Sequence, residues 1–292
     1  MSLLTAYIKL ARPHHYIKNG FVFVPLFFAH QLMVLPLLAA VAQGFAAFCL
    51  ASSAVYVMND IVDVDKDRLH PVKRHRPLAA GAVSPRGAMA FFAMLLVLSS
   101  LLAAPWQQLN FFLLMCGYVV LNAAYSLVLQ KVFLADALSV AGGFVIRVFS
   151  GSVLIGVRVS WWLTAMTLLL ALFIAFAKRR CDLVAMNETG GWPGRQYSRR
   201  FLSRAVKFLA ALSCLLYIGY TLWPPVIQEH GTGMLCLSAL WVVPGIARYL
   251  WLVFRSGRDC APVRSLLTDV YLQACVVLWV ATLWLLIYTD ML

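Results

Sequence analysis

The feature that most constrains this chain is a succession of long apolar windows that recur along nearly the whole sequence. A helix needs roughly 20 mainly apolar residues to cross the hydrocarbon core of a bilayer. Windows of that length lie at about 20–36, 38–58, 87–104, 109–128, 133–154, 161–177, 206–223, 234–254 and 269–289. In lipid every backbone amide must be paired within its own segment, so the sequence predicts an all-α, polytopic membrane protein with about nine transmembrane helices.

Composition excludes a water-soluble enzyme. Charged residues make up 12% and hydrophobic residues 63% of the 292 positions, whereas a soluble domain carries about 25% charged residues. The first window is the weakest, because Pro25 interrupts it and Pro36 ends it. We expect a single transmembrane domain over 1–292, whose longer loops at about 59–86 and 178–205 cap an active site.

The positive charge is confined to one side of the predicted bundle. The net charge is +13, and with the N-terminus inside, 22 of the 24 Lys and Arg fall in inner segments. The positive-inside rule therefore predicts a cytoplasmic N-terminus and an active site on the cytoplasmic face of a bacterial-type plasma (inner) membrane. A basic nucleic-acid-binding protein carries its charge on a polar domain, so nucleic acid is not a predicted partner.

A cluster of acids, N-D-I-V-D-V-D-K-D at 59–67, opens the first long loop. On a continuous helix, steps of three and four residues place Asp60, Asp63 and Asp67 on one face. Hard oxygen ligands favour Mg²⁺, whose coordination shell is commonly completed by substrate phosphates. The cluster therefore predicts a magnesium–diphosphate site, with a solvated acidic helix end, balanced by neighbouring bases, as the alternative.

Bases follow the acids directly, in the segment R-L-H-P-V-K-R-H-R-P-L-A-A-G at 68–81. Arg68, Lys73, Arg74 and Arg76 can bind the anionic oxygens that the metal does not reach. A topology signal alone would explain some of these charges. Acids followed at once by bases favour phosphate binding.

These motifs resemble the UbiA superfamily of intramembrane prenyltransferases, and within it the decaprenyl-phosphate phosphoribosyltransferase branch. The similarity rests on R-P-H-H-Y-I-K-N at 12–19, the acid and base block at 59–77, Tyr125–Ser126 with Lys131 and Asp136, G-F-V-I-R at 143–147, and K-R-R-C-D-L at 178–183. The last three predicted spans match only in general character.

One departure from the superfamily pattern bears on the reaction. Aromatic prenyltransferases of the superfamily carry a second D-x-x-x-D in the sixth loop, where this chain offers only Asp182 and Glu188. That loop instead holds the bases Lys178, Arg179, Arg180, Arg195, Arg199, Arg200 and Arg204. Two anionic substrates, one bound by metal and one by arginine, fit this pattern better than one diphosphate between two metal clusters.

The resemblance implies Mg²⁺-dependent transfer of 5-phosphoribose from 5-phosphoribosyl 1-diphosphate to a polyprenyl (decaprenyl-type) phosphate, with release of diphosphate. Asn59, Asp60, Asp63 and Asp67 would hold the metal, and the three aspartates would be the catalytic residues. Residues implied in substrate binding are Lys18, Asn59, Arg68, Lys73, Arg76, Tyr125, Lys131, Asp136, Arg147, Lys178 and Arg179. The sequence leaves the oligomeric state open, a homo-oligomer included.

Arg147 is the most informative of the bases, because a charge inside a span is costly and needs a partner. A neighbouring helix or a ligand could bring Asp136 to it, and snorkelling of Arg147 to the inner surface is the alternative. Two other functions compete: an aromatic prenyltransferase using polyprenyl diphosphate, and a secondary transporter. Transporters bind ions near the midplane between inverted repeats, whereas this chain keeps its acids at one face and shows no repeat.

Overall fold

The computed structural model describes residues 2–69, 73–103, 109–187, 197–255 and 262–288, and every regular element in these ranges is helical. The chain separates into two compact units, Met1–Val159 and Ser160–Leu292. Eight helices in the described ranges are long and apolar enough to cross a membrane. The all-helical, multi-pass fold is confirmed, while the single domain over 1–292 and the orientation stay predictions.

The first unit is built around one long helix. Its α-helices are α1 (Leu3–Ala11), α2 (Val24–Phe28), α3 (Leu35–Val62), α4 (Val64–Leu69), α5 (Pro85–Ala103), α6 (Leu109–Leu127) and α7 (Ala135–Ile155), and its 3-10 helices are Pro13–Phe23, Lys73–His75 and Leu129–Lys131. Helix α3 contacts α5, α6 and α7. Phe48 of α3, Phe111 of α6 and Leu154 of α7 meet in the buried core.

Small residues let these helices approach one another closely, as is common in membrane bundles. A side chain at Gly151 of α7 would collide with the carbonyl oxygen of Val22, so the 3-10 helix Pro13–Phe23 can pass directly against α7 only because this position is glycine. Gly44 of α3 likewise leaves room for Leu154 and Phe111.

The window predicted at 20–36 is not one long helix. It is divided between the 3-10 helix Pro13–Phe23, the short α2 and the first residues of α3. Pro25 lies in the first turn of α2 and Pro36 in the first turn of α3. Proline has no backbone N–H to continue a preceding helix, so each one begins a new helix instead.

The second unit contains α8 (Trp161–Asn187), α9 (Arg199–Thr221), α10 (Pro224–His230), the 3-10 helix Gly233–Ser238, α11 (Ala239–Arg255), α12 (Pro262–Thr268) and α13 (Val270–Tyr288). Neighbouring helices in this unit are α8 with α9, and α11 with α13. The segment 178–205, predicted as a loop, is therefore partly helical, because α8 continues to Asn187 and α9 begins at Arg199. Polar sequence can extend a helix beyond the apolar core, where water and headgroups solvate its side chains.

Candidate functional site

The acid cluster lies where α3 ends. Asp63 follows the last residue of α3 and its N–H bonds to the carbonyl oxygen of Asn59 at 3.0 Å, and α4 begins one residue later. The chain therefore turns between Asp60 and Asp67, which lie on different helices. Both are 2% exposed. Carboxylates removed from water to this extent need a partner of opposite charge.

Two arginines supply that charge. Arg76 places Nη1 3.2 Å from Oδ1 of Asp60 and 2.6 Å from Oδ2 of Asp67. Arg12 donates from Nη2 to the same Oδ1 of Asp60. The result is a continuous chain of charges, Arg12–Asp60–Arg76–Asp67, in which one guanidinium nitrogen lies between two buried carboxylates. We call these four residues the charge chain.

Arg12 reaches the charge chain from the junction between α1 and the 3-10 helix Pro13–Phe23. It adopts a left-handed backbone with φ of 54°, and its guanidinium lies over the ring of Tyr56 at 5.1 Å. The sequence analysis identified the motif R-P-H-H-Y-I-K-N at 12–19, but it predicted only Lys18 of this motif as a substrate-binding residue. Arg12 is therefore a site residue that sequence reasoning missed, although its motif was the signal.

Asp63 does not join the two buried acids. Its carboxylate pairs with Lys66 at 3.2 Å and its side chain is 27% exposed. Within the described ranges, no group of three or more His, Cys, Asp or Glu side chains is close enough to hold a metal. The expected face of three carboxylates on one helix is wrong, because the helix on which the spacing depends ends at Asp63.

The predicted phosphate-binding bases of the loop are in different surroundings. Arg68 pairs with the exposed Asp65 at 3.0 Å. Lys73 lies on the 3-10 helix Lys73–His75 with its side chain exposed. Arg76 contacts both buried acids directly.

Asn59 connects the acid cluster to α6. Its Oδ1 accepts a hydrogen bond from the hydroxyl of Ser126, which also bonds to the carbonyl oxygen of Asn122 at 2.9 Å. The contact brings the Tyr125–Ser126 block to the end of α3. Lys131 follows on the 3-10 helix Leu129–Lys131 with its side chain exposed.

Arg147 is enclosed within the first unit, at 5% exposure. Its Nε donates to Oδ1 of Asn19 at 2.8 Å, Nη1 to the carbonyl oxygen of Gly143 at 2.8 Å, and Nη2 to the hydroxyl of Tyr118 at 2.9 Å. The guanidinium also lies 4.6 Å over the Tyr118 ring. Arg147 is therefore held inside the first unit and does not snorkel to the inner surface. Its acceptors are neutral groups, and Asp136 is not one of them. Arg147 thus fastens residues 12–19, which we call the N-terminal block, to α6 and α7 through Asn19.

The N-terminal block is fixed to α3 as well. Asn19 is fully buried and donates to Ser52 Oγ at 3.1 Å, and the Tyr16 hydroxyl lies 2.8 Å from Ser53 Oγ. Lys18 is half-buried next to Asn19. Burial, together with the positive charges of Arg12 and Lys18, lowers the pKa of the His14 imidazole below its usual value. The block therefore presents a positive potential.

Asp136 is 2% exposed at the start of α7, where its Oδ1 accepts from the N–H of Ala137 at 2.7 Å. Lys178 and Arg179 lie on α8 of the second unit, and their association with the aspartates stays a prediction. Glu188 and Arg195 lie outside the described residues.

Comparison with known proteins gives concordant results. The UbiA prenyltransferase family model matches residues 20–267. The chain is 29% identical over 301 residues to the decaprenyl-phosphate phosphoribosyltransferase of Mycolicibacterium smegmatis, covering 98% of this chain and 94% of the relative. It is 30% identical over 298 residues to the protein of the same name from Corynebacterium glutamicum, covering 98% and 88%. A solved UbiA homologue from Archaeoglobus fulgidus, bound to GPP and Mg²⁺, matches with a TM-score of 0.70 and 18% identity over 97% of this chain and all of that one.

Proposed function

Because this chain belongs to the UbiA prenyltransferase family, we propose that it transfers 5-phosphoribose from 5-phosphoribosyl 1-diphosphate to a polyprenyl phosphate. The observation that carries the proposal is the charge chain, in which two buried carboxylates converge on one cationic nitrogen. The near-full-length similarity to proteins named decaprenyl-phosphate phosphoribosyltransferase supports this choice of donor and acceptor.

The donor set suits Mg²⁺. Asp60 and Asp67 provide hard carboxylate oxygens at a place where the protein already accommodates positive charge, and the Asn59 side chain is held at the same helix end by Ser126. Magnesium favours such oxygen ligands together with substrate phosphates. We assign Asn59, Asp60 and Asp67, with Asp63 at the helix break, to the metal. When bound, Mg²⁺ would neutralise charge on the departing diphosphate.

Arg76 and Arg12 have a second use in this scheme. In the structure their N–H groups are engaged by Asp60 and Asp67. If the carboxylates were engaged by a metal, both guanidiniums would be able to donate to diphosphate oxygens, for which their planar fork geometry is well suited. Lys18, Arg68, Lys73, Tyr125, Lys131 and Asp136, with Lys178 and Arg179 of the second unit, remain our candidates for the other phosphates and the ribose.

The reaction requires little proton transfer. The bond between the ribose anomeric carbon and diphosphate breaks with its electron pair leaving on diphosphate, and an oxygen of the acceptor phosphate forms the new bond to that carbon. The acceptor oxygen is already anionic near neutral pH, so no strong general base is needed. Fixed cations near the leaving group stabilise the charge that develops there.

Arg147 acts as a positioning residue in this proposal, because its donor nitrogens are already bonded within the protein. Through Asn19 it holds the 3-10 helix that carries Lys18, and this helix begins directly after Arg12. We place the reaction at the cytoplasmic face of a bacterial-type plasma membrane, on the distribution of basic residues.

Transfer of radiolabel to lipid tests the proposal. Purified protein is incubated with Mg²⁺, ribose-labelled 5-phosphoribosyl 1-diphosphate and a polyprenyl phosphate, and the organic phase is counted. We expect Asp60→Asn to reduce labelled lipid about 100-fold or more, because several kcal/mol of charge stabilisation depend on this carboxylate.

Asp65→Asn is the matched control, since Asp65 belongs to the same acidic run but its side chain is 86% exposed. We expect it to keep activity within about twofold, as surface ion pairs contribute little. Absence of labelled lipid with the unmutated protein, together with transfer from a polyprenyl diphosphate to an aromatic acid, would replace the proposal by the aromatic prenyltransferase.

A further inference from the structure

An open cleft of about 440 Å³ lies at the start of α9 in the second unit. It is lined by Arg199, Arg200, Ser203 and Arg204. The three arginines have exposed side chains. Against the described residues they form neither hydrogen bonds nor ion pairs, so the cleft concentrates positive charge that the described protein does not neutralise. Such a concentration favours a bound anion.

A buried cation is bonded to one of the residues that line this cleft. Arg180 of α8 is 5% exposed, and its Nε donates to Ser203 Oγ at 3.1 Å while Nη1 donates to the carbonyl oxygen of Val253 at 2.5 Å. Its guanidinium lies 3.9 Å over the ring of Phe254, which Lys207 also approaches at 5.2 Å. The hydrogen-bond partners of Arg180 are neutral, so a fourth positive charge is held next to Ser203, one of the residues that line the cleft.

Ser203 links the buried cation to the open cleft. Its oxygen accepts from Arg180, and the structure gives its own proton no acceptor among the described residues. The hydroxyl can therefore donate to a ligand in the cleft. The N-terminus of α9 is already capped by Ser198, whose Oγ accepts from the N–H of Phe201. Side chains therefore supply the charge that attracts an anion to this helix end.

The position of the cleft identifies the kind of anion. Helix α9 is one of the helices long and apolar enough to span a membrane, and the arginines occupy its first turns. Exposed aromatic side chains accompany them, Phe201 at 38% and Phe208 at 65% exposure. Basic residues at the end of a span lie at headgroup depth and attract anionic lipids, and exposed apolar side chains beside them can contact acyl chains. A lipid can present phosphate and acyl chain together at this depth, which a soluble phosphate cannot.

We propose that this cleft binds the anionic phosphate headgroup of a membrane lipid. Arg199, Arg200 and Arg204 donate to the phosphate oxygens, Ser203 contributes its hydroxyl, and Phe201 and Phe208 contact the acyl region. The buried Arg180 adds long-range attraction and holds Ser203 in place. The proposal is argued from the contacts of α8 and α9 alone and does not rest on phosphoribosyl transfer. It assigns Arg199, Arg200 and Arg204, which the sequence analysis grouped with the bases for a second anionic substrate, to a membrane lipid.

Native mass spectrometry of the delipidated protein in non-ionic detergent tests the inference. The protein is incubated with phosphatidylglycerol or with phosphatidylcholine of the same acyl chains, and retained lipid is counted at each concentration. We expect selective retention of phosphatidylglycerol. Arg200→Gln/Arg204→Gln should weaken its apparent affinity about 10-fold or more, on the attraction typical of basic residues near anionic lipids.

Lys9→Gln/Arg158→Gln is the matched control, because it removes the same two charges from exposed positions elsewhere and should leave retention unchanged. The inference is overturned if both lipids are retained equally, or if both double variants weaken binding to the same extent. It is also overturned if inorganic phosphate at low millimolar concentration displaces phosphatidylglycerol, which would identify a soluble anion as the ligand. A thermal unfolding scan of each variant without lipid establishes that it remains folded.

Discussion

Arg76→Gln tests the charge chain most directly, since it removes the cation shared by Asp60 and Asp67. Asp60 keeps Arg12 as a partner. Asp67, whose side chain is 4% exposed, loses Arg76 and then has no ion-pair partner among the described residues. Breaking a fully buried ion pair by removing one partner costs about 3–5 kcal/mol. Because the Arg76 side chain is 29% exposed, solvent screens part of the interaction, and we expect about 2 kcal/mol.

A loss of this size should lower the melting temperature of the purified protein by roughly 4–8 °C. Adding Asp67→Asn to Arg76→Gln should restore much of the lost melting temperature, because the double variant no longer buries an unpaired Asp67 carboxylate. Arg68→Gln is the stability control, since it breaks the exposed pair with Asp65 and should shift the melting temperature by about 1 °C or less.

The effect of Mg²⁺ on the melting temperature gives a second test with the same variants. Without the guanidinium between the two carboxylates, Mg²⁺ no longer competes with a resident cation, so it should stabilise Arg76→Gln more than the unmutated protein. The reasoning is refuted if Arg76→Gln has the same melting temperature as the unmutated protein, or if adding Asp67→Asn does not raise the melting temperature of Arg76→Gln. It is also refuted if Mg²⁺ stabilises Arg76→Gln and the unmutated protein equally.

Two further predictions concern packing and pH. Gly151→Ala should lower the melting temperature by several degrees, because its methyl group would collide with the Val22 carbonyl, whereas Gly117→Ala, with no neighbouring atom within 4 Å, should not; equal effects would contradict the close approach. Hydrogen bonding from Arg248, together with backbone N–H donors, lowers the pKa of Asp269 below its usual value. A carboxylate with a lowered folded-state pKa stabilises above its unfolded-state pKa of about 3.9 and loses that contribution as pH falls through the folded value. A melting-temperature series from pH 6 to 3 should therefore fall less steeply for Asp269→Asn, and parallel curves would contradict the assignment.

The charge chain also explains why the acid cluster is compatible with a folded membrane protein in the absence of metal. Two buried carboxylates are matched by two guanidiniums, so the local charge is balanced. A bound metal would supply new positive charge for the aspartates, and a bound diphosphate would supply new negative charge for the arginines. We therefore expect metal and diphosphate to bind more tightly together than either binds alone.

Sequence patterns predicted the local features of this protein with good success. Eight of the nine apolar windows correspond to the long helices, because the length of a span and the polarity of its side chains are properties of consecutive residues. The acid and base motifs were also recognised without coordinates. The first window, 20–36, and the single face of three aspartates were wrong for a local reason too. The prolines in that window and the helix break at Asp63 interrupt the regular helix that each prediction assumed.

Only the tertiary structure decided which side chains meet. Arg12 and Asp60 are 48 positions apart, Ser126 and Asn59 are 67 apart, and Arg147 and Asn19 are 128 apart. No periodicity within a segment specifies such pairs, because they depend on how helices cross and on the glycines that allow close approach. The sequence by itself determined a membrane-embedded helical protein with an acidic motif followed by bases. The fold decided that two of its acids are buried around an arginine, since burial makes an unpaired charge costly and the packing determines which cation can reach it.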